Sequence, residues 1–184
     1  MTSAPGQTVG PFFHYALDLD RGNELVPPGS PGSIRLHGRV LDGDGAPVPD
    51  AMIEIWQAGP DGRIPRATGS LRRDGWTFTG WGRALTDTDG RYTFSTLEPG
   101  PTEAGRPPFF AVTVFARGLL DRLFTRAYLP GAADRPAADP LLAGLLPDRR
   151  ATLITTREDR GLLFDIRLQG EGETVFLRYP RHGQ

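Results

Sequence analysis

Glycine and proline punctuate this chain more than any other feature: 42 of its 184 residues are one or the other, close to double the roughly 12% of average composition. A glycine in a helix interior costs about 1 kcal/mol and a proline about 3, so a long helical bundle is excluded and turns must be abundant. The share still lies below the level at which unpatterned chains stay disordered, and 38% hydrophobic with 23% charged residues is enough to build a core. At this length one domain is expected, spanning residues 1–184. Its first 32 residues, with Pro27-Pro28-Gly29 and Pro31-Gly32, read as an N-terminal arm.

Between the breakers, alternating segments recur, which is the signature of an all-β sandwich or barrel. Ile34, Leu36 and Val40 alternate with Arg35, His37 and Arg39. After a turn at residues 42–45, residues 52–56 carry bulk on both faces and predict a central strand that pairs with the first. Residues 58–82 hold only scattered apolar side chains and read as a long functional or interface loop. Residues 81–86 and 91–96 flank Asp87-Thr88-Asp89-Gly90, which predicts a tight hairpin.

Residues 109–115 are apolar on both faces, predicting a strand covered on each side, and residues 123–129 predict a shorter one. In the connector at 130–150, residues 141–146 suggest a turn or two of helix that Pro147 stops. Residues 162–168 and 175–179, on either side of Gly170-Glu171-Gly172-Glu173, predict a last hairpin. The fold class expected is all-β: a β-sandwich of two mainly antiparallel sheets, with long loops and an N-terminal arm.

Charge narrows the partners. Twenty-one arginines face 22 acidic residues for a net charge of −1, which leaves no field to attract a polyanion or an anionic membrane. Nucleic acid and membrane are therefore not expected partners. The chain has no lysine, which removes Schiff-base and phosphate-loop chemistry, and no cysteine, which removes thiolates, iron–sulfur clusters and zinc ribbons. No apolar run approaches the ~20 residues of a membrane span, and the N-terminus lacks the basic-then-apolar order of a signal peptide; a cytoplasmic location is the expectation.

Catalytic chemistry is sparse. Histidines stand at His14, His37 and His182 and form no motif; His37 falls on the polar face of its strand and His182 in the tail, so both read as solvated, and His14 reads as a packing or hydrogen-bonding residue of the arm. The carboxylate pairs Asp42/Asp44, Asp87/Asp89 and Glu171/Glu173 each sit beside glycine in a predicted turn, where such side chains bond their own backbone. The Asp-x-Asp-Gly beginnings lack the rest of a calcium loop. Tyr92 alternates within a strand and reads as packing.

Taken together and in order, several segments resemble the intradiol ring-cleavage dioxygenases. They are Gln7-Thr8-Val9-Gly10-Pro11-Phe12-Phe13-His14, Ile53-Glu54-Ile55-Trp56-Gln57-Ala58, Thr86-Asp87-Thr88-Asp89-Gly90-Arg91-Tyr92, Glu98-Pro99-Gly100-Pro101, Phe115-Ala116-Arg117-Gly118 and Phe164-Asp165-Ile166-Arg167-Leu168-Gln169-Gly170-Glu171-Gly172-Glu173. The resemblance spans nearly the whole chain and implies a β-sandwich and non-haem Fe(III) chemistry. The family's iron sits on two tyrosines and a His-x-His pair. Here the tyrosine positions are Ile64 and Thr102, and the His-x-His strand reads Phe109-Phe110-Ala111. The chain therefore matches the non-catalytic chain of a two-chain member, with no catalytic and no metal-binding residue of its own.

That resemblance implies an iron-binding beta partner, in αβ protomers within a larger oligomer. The expected reaction uses O2 to open 3,4-dihydroxybenzoate to 3-carboxy-cis,cis-muconate. It places substrate contacts at Thr8, Gly10 and Pro11, an arm laid over a neighbour's cavity, and at Arg117, whose fork suits a carboxylate. Two other readings stand beside it: a non-catalytic β-sandwich binding or scaffolding module, and a self-sufficient dioxygenase in which His14, His37 or His182 converges with Tyr15, Tyr92, Tyr128 or Tyr179.

Overall fold

The computed structural model describes residues 8, 10, 12–66, 74–159 and 161–179, with His14 described by its backbone alone. Among the described residues nine strands make two sheets: β1 (Ser33–Leu41), β2 (Met52–Gln57), β3 (Trp81–Leu85), β4 (Arg91–Leu97), β5 (Phe109–Phe115), β6 (Leu123–Tyr128), β7 (Thr156–Glu158), β8 (Gly161–Leu163) and β9 (Ile166–Arg167). One sheet has the order β4-β1-β8-β7 with β9 also on β1, and the other β3-β2-β5-β6. Only β8 and β9 run parallel to β1; every other pair is antiparallel. The expected sandwich of two mainly antiparallel sheets is what the chain forms.

The two sheets share one core. Leu36, Val40 and Phe94 from the first meet Ile53, Ile55, Phe110, Val112 and Val114 from the second, all in one buried cluster. Alternation dictates this: in β5 residues 110, 112 and 114 are buried while 109, 111, 113 and 115 are not, so one face builds the core and the other looks outward. The strand is apolar on both faces but covered fully on only one, which corrects the expectation of a doubly covered strand.

Connections differ from the sequence expectations in three places. Strands β1 and β2 do not pair with each other, and neither do β3 and β4: the turn at 42–45 folds residues 46–48 back along β1 before the chain crosses to β2, and the turn at 87–90 carries it from one sheet to the other. The turn chemistry itself is as read. Asp42 Oδ1 accepts from the backbone N–H of Asp44 and Ala46, and Asp87 Oδ1 from Asp89 and Arg91, while Gly90 takes a positive φ of 70° that a side chain disfavours. An Asp-Gly turn thus fixes a reversal without fixing which strands it joins.

The last hairpin is also different. The chain does fold back at residues 170–172, with Thr174 N–H donating to the Arg167 carbonyl, but Leu177 bridges to Phe124 of β6. Pro147 does not stop a helix; it opens one. The short helices are α1 (Phe13–Leu17), α2 (Pro140–Ala143) and α3 (Pro147–Ala151), and proline stands first in α2 and α3, where its missing N–H costs nothing. Asp139 caps α2 by accepting from Leu141 N–H.

Close approach explains one further glycine. A Cβ on Gly38 of β1 would collide with the Phe164 carbonyl, which accepts the Tyr92 hydroxyl. Tyr92 is buried as packing, as its alternation suggests, and burial pushes its hydroxyl well above the ordinary tyrosine value, with the Asp165 charge adding to it. His37, read as solvated, is instead half-buried and bonded to Glu158 at 2.8 Å. No helix among the described residues is long and apolar enough to cross a membrane.

Candidate functional site

Cross-strand register builds a cavity on the outer face of the second sheet. Trp81 pairs with Trp56, Trp56 with Ala111, and Ala111 with Arg126, so these four side chains form one row across β3, β2, β5 and β6, pointing away from the core. Phe109 lies two residues before Ala111 on the same face and is paired with Tyr128. There the small helices close the sheet: Tyr128, Leu142 and Leu153 form a second buried cluster against Phe109. Between this wall and the loops after β2 and β4 lies a cavity of about 330 Å³ lined by Trp56, Ile64, Thr102, Phe109, Arg126 and Tyr179, among others.

All four positions at which the sequence suggests lost metal ligands, namely Ile64, Thr102, Phe109 and Ala111, line this one cavity. Their chemistry does not fit a ferric ion, which favours anionic oxygen completed by imidazole: two aliphatic side chains and a phenyl ring donate nothing, and Thr102 offers one neutral hydroxyl. Arg126 adds a fixed positive charge. Its Nη1 donates to the Tyr128 hydroxyl at 2.9 Å and lies 3.6 Å from Asp139 Oδ2, and its guanidinium carbon sits 4.2 Å over the Phe109 ring.

Burial works against the Arg126 charge, but the hydrogen bond to Tyr128 and the fields of Tyr128 and Asp139 outweigh it, so the guanidinium is held above its ordinary range. Burial is also the main reason that the Tyr128 hydroxyl is pushed up to about 12. A trivalent cation entering here would meet an arginine instead of a phenolate. Among the described residues no three His, Cys, Asp or Glu side chains cluster to hold a metal.

Arg117 stands elsewhere. It lies six residues beyond Ala111, past the far end of β5, on the order of 20 Å along an extended chain, and it does not line the cavity. Its Nε meets Asp50 Oδ2 at 3.1 Å; the Arg117 side chain is 60% exposed and that of Asp50 12%. Thr8 and Gly10 are exposed, nothing lies within 4 Å of the Cβ position of Gly10, and the Gly10 carbonyl accepts from Phe13 N–H at the start of α1. Pro11 and His182 lie outside the described residues, as does the side chain of His14. Arg117 is thus not brought to the chain's own cavity. Sequence reasoning missed Arg126 and Asp50: the first is visible only once β6 is registered on β5, the second only as the partner of Arg117.

A sequence profile described as Dioxygenase matches residues 9–170. The chain is 38% identical to the protocatechuate 3,4-dioxygenase alpha chain of Burkholderia cepacia, covering 96% of this chain and 98% of that one. It is 35% identical to the protocatechuate 3,4-dioxygenase beta chain of the same organism, over 88% of this chain and 76% of that one. Among solved structures, the dioxygenase domain of a dioxygenase–carbohydrate-binding fusion from Streptomyces sp. SirexAA-E superposes with a TM-score of 0.59 at 26% identity, covering 90% of this chain and 97% of that domain.

Proposed function

The chain belongs to the dioxygenase family, and from that premise we propose that it is the iron-free alpha subunit of an intradiol protocatechuate 3,4-dioxygenase whose beta chain holds the metal. The enzyme is an oxidoreductase of two related chain types. Its reaction inserts both atoms of O2 into 3,4-dihydroxybenzoate, breaking the bond between the two hydroxyl-bearing carbons to give 3-carboxy-cis,cis-muconate. A non-haem ferric ion in the beta chain supplies the activation of the bound catecholate. One observation carries the reading: an alignment to the alpha chain that runs nearly end to end, in a chain whose four ligand positions line one cavity and offer no ligand set.

This chain's own contribution is to shape and charge the partner's site. Asp50 meets Arg117 at Nε, and the guanidinium is mostly exposed, so its fork is available to a substrate carboxylate, the group that separates dihydroxybenzoate from plain catechol. Thr8, Gly10 and Pro11 supply a narrow arm across the same cavity, where a missing Cβ permits close backbone approach. Residues 1–184 act as one domain, with 1–32 as an N-terminal arm whose residues 22–26 are anchored on the sandwich, in αβ protomers of a cytoplasmic oligomer. Co-expression with the beta chain, followed by oxygen uptake on 3,4-dihydroxybenzoate, tests this. The complex consumes O2 and forms the muconate, and this chain alone does neither; turnover by the lone chain, or an inert complex that contains iron, contradicts it.

A further inference from the structure

Loss of metal ligands has not closed the cavity. At about 330 Å³ it sits at the small end of the range for ligand pockets, and its lining joins an apolar wall to one cation. Trp56, Ile64, Phe109 and Tyr179 supply flat or aliphatic surface. Gln57, the other polar wall residue of the strand, is already satisfied by Ala58, Leu97 and Thr96, so it offers no competing contact.

Arg126 differs. Nη1 is spent on Tyr128 and Asp139 and one face of the guanidinium on the Phe109 ring, whereas the Nε and Nη2 hydrogens have no acceptor among the described residues. Those two donors form the edge that meets a carboxylate through parallel hydrogen bonds. The other contacts hold the group's plane in advance, which lowers the ordering cost of binding.

We propose that this cavity is a second, non-catalytic site for a small aromatic monocarboxylate. The carboxylate meets the Nε–Nη2 edge of Arg126 and the ring lies against Trp56 and Ile64. The site goes beyond the ring-cleavage reading and stands separately from it, since it involves no metal and no residue assigned to the partner's cavity.

The test is fluorine NMR of 4-fluorobenzoate titrated into the complex with its beta chain, read as bound signals and not as turnover. A signal from this cavity is expected to disappear in Ala111→Phe, which fills the space from an exposed strand position without altering any charge. In Arg126→Gln it weakens by roughly tenfold to a hundredfold, the worth of a charge-assisted hydrogen-bonded pair. It persists in Arg117→Ala. 4-Fluorobenzyl alcohol, which keeps the ring and loses the charge, is expected to bind at least about tenfold more weakly. Every bound signal surviving Ala111→Phe overturns the proposal, even if Arg126→Gln fails to fold. Equal binding of the alcohol also overturns it. A lost signal with full oxygen uptake supports the site and leaves the ring-cleavage reading in place.

Discussion

Arg126 and Arg117 occupy opposite ends of the same pair of strands, and their surroundings divide the labour of the molecule. Arg126 is stacked on Phe109, bonded to Tyr128 and near the buried carboxylate of Asp139. Arg117 has, among the described residues, one ion-pair partner and a mostly exposed side chain. An arginine held on three sides is part of its own chain's packing, and its removal leaves a buried carboxylate without compensation. A mostly exposed arginine with one acidic partner costs its chain little to keep and is available to a neighbouring chain. The comparison teaches that a cavity recognised by family likeness need not be where the chain does its work.

Three substitutions or conditions sharpen that contrast. The largest effect is expected for Arg117→Ala in the complex: kcat/KM for 3,4-dihydroxybenzoate falls by about a hundredfold, on the scale of losing one partner of a charged pair, while iron content holds. Its melting temperature falls only modestly, because the Arg117 end of the pair is mostly exposed even though Asp50 is largely buried. Unchanged steady-state kinetics would remove Arg117 from the substrate site. Next, Arg126→Leu is expected to lower unfolding stability by about 2 kcal/mol, since it strips Asp139 and the Tyr128 hydroxyl of their cation. Adding Asp139→Asn in the same chain recovers part of the loss, and denaturant titration of the double-mutant cycle measures it; strict additivity would show that the two groups do not interact.

The smallest expected effect is a pH dependence. Tyr128 ionises near 12 when folded, and burial raises Tyr92 well above its ordinary value, against roughly 10 in the unfolded chain. Their contribution is therefore full below pH ~10. It is lost as pH rises through the folded values, because the unfolded chain releases those protons first. Thermal melts between pH 9 and 12 are expected to show falling stability, and Tyr128→Phe flattens part of that fall; an identical slope in the variant would mean that Tyr128 is not held neutral by burial.

How much of this was legible in the sequence depends on what kind of information each feature carries. Alternation located the buried face of β1, and apolar runs located β2 and β5, because side-chain period and run length are local; which face of β5 is covered was not legible. The Asp-Gly turns were legible for the same reason, since Asp42 and Asp87 bond their own next residues. Pairing was not: whether β1 continues into β2 within one sheet or crosses to the other is decided by which faces bury together, and no turn residue encodes that. Pro147 was misread because a proline is equally at home after one helix and at the start of the next. The four replaced ligand positions were legible through family likeness alone, and their convergence on one cavity is tertiary. Arg126 gave no local signal, since its neighbour Ala111 lies 15 residues earlier in the chain and meets it only through the β5–β6 register.

The central claim is that reactivity resides in the companion chain while this one frames it. The most direct measurement is an anomalous difference map at the iron absorption edge from crystals of the complex. The account predicts a peak in the beta chain's cavity and none between Ile64, Thr102, Phe109 and Ala111; a peak at that second place, held by this chain's atoms, would contradict it.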